Sequence, residues 1–151
     1  MKFSEMINNV LVTVYHKILR VEEEFLKRGI GAGLTIREMH MIEYVGKAGA
    51  EGRQLSDVAD FLDVARPSMT VSARKLEQKG FLSKKGCDQD GRVVRVSLTR
   101  EGRRVFIHYL RFHTLMVNEL ENEFTEEEKD LIVRVIIKLD KFFEKRIEAA
   151  S

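Results

Sequence analysis

The stretch QLSDVADFLDVARPSMTVSARKLEQKGFL, residues 54–82, decides the fold. Leu55, Val58, Ala59 and Leu62 recur at helical spacing and make a short amphipathic helix. Asp63, Val64 and Ala65 leave room only for a tight turn. Pro67 suits the first turn of a new helix, where a missing N–H costs nothing. It also biases the residue before it away from helical dihedrals, so a boundary is predicted at Arg66. The new helix carries Met69, Ala73 and Leu76 inward and stops at Gly80. Two short helices, a three-residue turn and small residues at the crossing make a helix-turn-helix.

Downstream of Gly80 the periodicity changes. Phe81 to Lys85 reads as a short strand, and Val93, Val94, Val96 and Leu98 form a second, β-branched one. The polar turn between them makes a two-stranded wing with a charged tip. Thr99 then caps a long helix predicted to run to about residue 124, with Val105, Tyr109, Phe112, Leu115, Met116 and Leu120 facing inward. Thr125 and Glu128 form a capping box for a last helix carrying Leu131, Val135, Ile136, Leu139, Phe142 and Phe143. Upstream, Val10, Val14, Ile18, Val21 and Phe25 form one stripe of a helix over residues 3–27. Gly29, Gly31 and Gly33 break it, and the Thr35–Glu38 capping box opens a helix with Ile36, Met39, Ile42 and Val45 inside. The expected fold is mainly α: a winged helix-turn-helix with a small β-wing, flanked by long N- and C-terminal helices.

Charge is unevenly spread along the chain. Residues 66–104 hold eleven cations and four anions, a balance of +7, whereas residues 119–151 hold six cations and ten anions, a balance of −4. One segment suits an anionic partner and the other does not. A recognition helix presents its N-terminal residues to base edges in the major groove. On the predicted helix that set is Arg66, Ser68, Thr70, Val71, Arg74 and Lys75, with Pro67 in the opening turn. Ser68 and Thr70 offer hydrogen bonds, Val71 a contact for a thymine methyl, and Arg74 and Lys75 bonds to guanine or phosphate. In the wing, Arg92 suits the negative potential of a narrow minor groove, and Asp90 can hold its guanidinium in place. Lys84 and Lys85 read as phosphate contacts, which position without specifying. The alternative for each is a merely solvated side chain.

Other chemistry finds little support. Cys87 is the single cysteine, so no disulfide framework or cysteine-rich zinc site is expected. His16, His40, His108 and His113 show no i, i+4 pairing of metal ligands. The Gly29–Gly31–Gly33 run follows a helix rather than a strand and does not read as a phosphate loop. With no nucleophile–base pair visible, an enzyme is not expected, and no cofactor is called for. The opening MKFSEMINNV lacks a basic head followed by an apolar run, and no apolar run suits a bilayer, so a cytoplasmic protein with no membrane partner is expected.

These residues resemble the MarR family of bacterial transcription regulators. The resemblance covers nearly the whole chain and rests on residues 55–82, the Asp-x-Arg of Asp90 and Arg92, and Leu98-Thr99-x-x-Gly102. It implies a single chain of residues 1–151 with a DNA-binding lobe at 35–98. The helices at 3–28 and 99–151 would then build a homodimer on double-stranded DNA. Cys87 stands where many members carry another acid. The resemblance also implies an effector cleft between lobe and dimer interface, for which Met39, His40, Phe112 and His113 are candidates. Core packing is the alternative for Met39, and satisfied histidines for His40 and His113. Residues 34–47, LTIREMHMIEYVGK, with the helix at 8–26, look like the fatty-acid-synthesis repressors of Gram-positive bacteria. That implies an acyl chain on acyl carrier protein as corepressor. The runner-up is a regulator of efflux or stress genes answering small aromatic compounds. A protein–protein module without a DNA role is a third reading.

Overall fold

A computed structural model describes residues 2–85 and 92–151; Cys87 and Asp90 lie outside the described residues. Among the described residues the chain forms six α-helices: α1 (Phe3–Lys27), α2 (Ile36–Gly46), α3 (Leu55–Phe61), α4 (Arg66–Gln78), α5 (Arg100–Glu121) and α6 (Glu126–Ala150). Three strands join them: β1 (Arg53–Gln54), β2 (Leu82–Lys85) and β3 (Arg95–Leu98). The chain divides into two compact units, Met1–Tyr109 and Leu110–Ser151.

The first unit holds the core, made of Met39, Met41, Ile42, Val45, Val58, Met69, Ala73, Leu76, Val96 and Val105 among others. Thr35 accepts the Glu38 N–H at 3.2 Å through its hydroxyl, and the Glu38 carboxylate accepts the Thr35 N–H at 3.0 Å, so the α2 capping box forms as its sequence predicts. The α3–α4 turn is a Schellman ending. Asp63 takes a left-handed φ of 51°. The Val64 N–H bonds the Ala59 carbonyl at 2.9 Å, and the Asp63 N–H that of Asp60 at 3.3 Å. A short polar side chain tolerates this conformation better than most. Gly80 repeats the motif at the end of α4, with φ 85° and the Phe81 N–H on the Leu76 carbonyl at 3.0 Å.

Helix α4 starts one residue earlier than predicted. Ala65, with ψ 137°, is its extended N-cap, and Arg66 is already helical. Proline disfavours but does not forbid helical dihedrals in its predecessor. The sheet differs as well. Its order is β1–β3–β2, all antiparallel, with Leu82 opposite Leu98, Lys85 opposite Arg95 and Arg53 opposite Val96. A third strand thus backs the wing, while Val93 and Val94 precede β3 rather than belonging to it. Two residues are too few to carry an alternation signal, and β1 exists because β3 presents an edge to it.

The Leu98-Thr99-x-x-Gly102 motif has a mechanical basis. The Thr99 hydroxyl donates to the Gly80 carbonyl at 2.6 Å and accepts the Gly102 N–H at 3.1 Å, tying the end of α4 to the start of α5. At Gly102 an added Cβ would stand 2.1 Å from the Phe81 carbonyl oxygen, a backbone atom. Gly102→Ala is therefore expected to cost about 3 kcal/mol and to lower Tm by roughly 5–10 °C in a melting experiment.

In the second unit α6 opens on the predicted capping box, with the Thr125 N–H on Glu128 at 2.9 Å, yet it buries no residue. Leu115 and Leu120 of α5, expected inside, are exposed, as are Leu131, Val135, Ile136, Phe142 and Phe143 of α6. Helix α1 buries only Glu22 and Leu26, leaving Val10, Val14, Ile18 and Val21 exposed. The apolar periodicity is real, but the chain by itself does not cover it. Helix α5 also ends at Glu121, three residues before the predicted stop.

Candidate nucleic-acid interface

Helix α4 is built as a two-faced rod. Met69, Ala73 and Leu76 pin it to the core. Arg66, Pro67, Ser68, Thr70, Val71, Arg74 and Lys75 are exposed on the remaining surface. Val71 is 53% exposed, an apolar β-branched side chain set among polar ones. The Thr70 hydroxyl donates to the Arg66 carbonyl at 3.1 Å, so its hydrogen is spent within the helix and its oxygen remains an acceptor.

A hollow of about 300 Å³ is lined by Arg66 and Thr70 of α4, Leu55 and Ser56 of α3, and Arg92, Val93 and Val94 at the root of the wing. Two of the arginines singled out in the sequence thus meet on one concave, cationic surface, although they are 26 residues apart in the chain. Ser56 joins them. Its place in the first turn of α3 was the available signal, because the first helix of a helix-turn-helix crosses the DNA backbone. Lys75 lies on the other flank, over a smaller hollow shared with Arg37, Ser72 and Met69.

The remaining cations divide by use. Lys84 stands 3.7 Å from Glu77, a half-exposed ion pair that a phosphate can displace. Lys85 donates to the Ala50 carbonyl. Arg95 donates to the Gly52 carbonyl at 3.3 Å, and Arg53 lies 3.9 Å over the Tyr44 ring, so both brace the sheet. Asp90, assigned to orient Arg92, falls outside the described residues.

Of the four effector candidates, Met39 and His40 belong to the first unit and Phe112 and His113 to the second. Met39 is 1% exposed and belongs to the core. His40, half-exposed, lies 3.6 Å from the buried Glu22, which accepts the Tyr109 hydroxyl at 2.8 Å. Burial, together with the Glu22 hydrogen bond and the charges of Glu22 and Glu43, pushes the Tyr109 phenol far above its ordinary range. His40 also lines a hollow of about 350 Å³ with Tyr15, Leu19, Ile36, Arg37 and Leu62, residues whose surface role the helical periodicity did not reveal. Phe112 and His113 belong to the second unit, their rings edge to face at 5.2 Å. Among the described residues no three His, Cys, Asp or Glu side chains gather in a way that could hold a metal ion, and no helix is long and apolar enough to cross a membrane.

Known proteins share this architecture. The family model described as transcriptional regulator SarA/Rot matches residues 30–108, just over half of the chain. A crystal structure of Streptococcus pneumoniae FabT in complex with DNA is 32% identical, with a TM-score of 0.88, covering 94% of this chain and 98% of that one. The HTH-type transcriptional repressor MdtR of Bacillus subtilis is 23% identical over 89% of this chain and 86% of its own length. The S. aureus MepR–DNA complex, 19% identical with a TM-score of 0.74 over 93% and 98% of the two chains, shares the fold. These relatives are regulators of transcription rather than enzymes. The chain is a member of the MarR-like winged-helix family of DNA-binding transcriptional regulators, in which the SarA/Rot description and the FabT likeness meet.

Proposed function

We propose that the protein is a homodimeric repressor that reads duplex DNA with α4 and the wing and changes its affinity on binding an effector. The observation that carries the DNA reading is the shared hollow of Arg66, Thr70 and Arg92, a concave cationic surface between a helix and a hairpin. Arg66, Pro67, Ser68, Thr70, Val71, Arg74 and Lys75 supply the major-groove contacts, Arg92 with Asp90 the minor-groove contact, and Lys84 and Lys85 the phosphate contacts. What supports the dimer is α6, a 25-residue helix that buries nothing while exposing Leu131, Val135, Ile136, Phe142 and Phe143. Large apolar side chains left exposed along one helix call for a partner, and a second copy covers them by two-fold symmetry. The dimerisation helices are those of residues 3–28 and 99–151, flanking a DNA-binding lobe at 35–98. Such a dimer acts on cytoplasmic DNA by occupying a promoter.

The effector is an acyl chain presented on acyl carrier protein, with His40, Phe112 and His113 in or near the binding region. The support is the resemblance of residues 34–47 to fatty-acid-synthesis repressors together with the FabT likeness. A mobility-shift titration of the DNA upstream of the protein's own gene, with and without carrier protein bearing acyl chains of several lengths, tests it. A chain-length-dependent change in affinity is expected; no change with any chain, alongside a response to salicylate-like compounds, would shift the assignment to the efflux and stress regulators. The same assay tests the phosphate role of Lys84. Lys84→Ala is expected to weaken all duplexes about equally and to flatten the slope of log affinity against log salt by roughly one unit.

A further inference from the structure

We propose that Lys79 is a positioning residue for the recognition helix: with Glu38 it clamps the C-terminal end of α4 to the connector that precedes α2. The inference rests on the DNA-binding reading above and extends it to residues that touch no DNA.

Lys79 is the C-cap of α4. Its ammonium has three hydrogens, and three acceptors surround it: Glu38 Oε1 at 2.9 Å, Glu38 Oε2 at 2.8 Å and the Gly33 carbonyl at 3.1 Å. Its donors are all used, across 41 and 46 residues of sequence. Glu38 is buried, and the same carboxylate accepts the Thr35 N–H in the capping box. Burial pushes the Glu38 carboxyl up, but the hydrogen bonds from Lys79 and Thr35 and the Lys79 charge outweigh it and hold the group below the ordinary glutamate range. The Glu38–Lys79 pair therefore joins three things: the start of α2 through the Thr35 N–H on the carboxylate, the end of α4 through Lys79 itself, and the connector through the Gly33 carbonyl on the ammonium. That connector is itself ordered, with the Ala32 N–H on the Gly29 carbonyl and the Leu34 N–H on the Gly31 carbonyl, each at 3.0 Å. Its other end runs directly into α1.

Packing through Met69, Ala73 and Leu76 fixes how deep α4 sits. The Schellman turn at Asp63 fixes its entry. Its exit has the Lys79 clamp and the Thr99–Gly80 bond, and of these the clamp alone connects to the connector and α1. Because the Glu38 carboxylate is buried and would lose its counter-charge if the half-exposed Lys79 moved away, the pose of α4 and the arrangement of the connector move as one. By linkage, whatever DNA does to the connector, a change in the connector does to DNA affinity.

Simple electrostatics makes the opposite forecast, which gives the test its force. Glu38→Gln removes a negative charge close to a DNA-binding helix, and charge alone would then tighten DNA binding. Glutamine keeps the capping box, so α2 retains its start. Binding to the upstream duplex and to a scrambled duplex is measured over a salt series for wild type, Glu38→Gln, Lys79→Met, the double variant and Lys79→Arg, with melting curves to verify folding. Hydrogen exchange at the Ala32 and Leu34 amides is followed with and without DNA. The clamp predicts that Glu38→Gln and Lys79→Met each weaken upstream-duplex binding roughly tenfold with the salt slope unchanged. The double variant should be no worse than either single one, and Lys79→Arg should recover most of the loss. DNA should slow connector exchange in wild type but not in the two single variants. Tighter or unchanged binding by Glu38→Gln would overturn the proposal. So would a slope about one unit flatter for Lys79→Met, which would make Lys79 a phosphate ligand. Should Glu38→Gln fail to fold, Lys79→Met, at a half-exposed position, decides the matter alone. Wild-type binding with unaffected variants sinks only the clamp, whereas a wild type that binds neither duplex removes the DNA reading and the clamp together.

Discussion

Replacing Ile136 and Phe143 together by aspartate is expected to leave the protein monomeric at micromolar concentration and unable to hold its operator. Both side chains are about half exposed in the single chain, at 57% and 49%. Fully burying an isoleucine or phenylalanine is worth about 1.5–3 kcal/mol, roughly half of which remains to be gained by each of these half-exposed side chains, and two-fold symmetry brings each substitution into the interface twice. The lost apolar burial alone approaches roughly 6 kcal/mol, about four orders of magnitude in dimer dissociation. Four carboxylates forced toward an apolar contact add to that. Operator affinity falls with it, because a dimer's second lobe binds at a high effective concentration that a monomer lacks. Sedimentation velocity reads the first effect and a mobility shift the second. Circular dichroism should show the first unit intact, since none of its core residues is altered. A variant that stays dimeric would place the interface elsewhere than α6.

The second large effect is expected from Arg74→Ala combined with Arg92→Ala. A bidentate arginine contact to a base is worth about 1–3 kcal/mol of discrimination, and a dimer makes each contact twice. Operator affinity should drop at least a hundredfold, while binding to unrelated duplex falls less. Arg74 is exposed on the outer face of α4, and Arg92 borders the hollow that Arg66 and Thr70 also line, so neither change opens a cavity in the core. Melting temperature should therefore move little, which separates a lost contact from a lost fold. Equal losses on operator and unrelated DNA would show that both arginines hold phosphates rather than read the grooves.

The helix-turn-helix was legible because its signals are local. Small and apolar residues recur at helical spacing, Pro67 opens a helix and Gly80 closes it. The capping boxes at Thr35 and Thr125 were legible for the same reason. What escaped depends on distant partners. Strand β1 is two residues whose pairing with β3 lies some forty positions away. The left-handed Asp63 gives no composition signal of the kind glycine gives. The Glu38–Lys79 clamp joins a residue legible only as half of a capping box to a lysine 41 positions further along the chain. The stripes of α1 and α6 were visible as apolar, whereas Leu115 and Leu120 of α5 were assigned inward-facing positions because periodicity reports a face without reporting what covers it. The candidate site divides the same way. Arg66 and Thr70 were found from helix phase, but their meeting with Ser56 and Arg92 is a product of the fold.

Footprinting of the purified protein on the DNA upstream of its own gene, at two salt concentrations and with the stoichiometry determined on the same complex, addresses the central claim most directly. The account predicts two protected patches about one helical turn apart, two chains per duplex and affinity that falls steeply with salt. Protection of a single patch by one chain, or binding indifferent to salt, would contradict it.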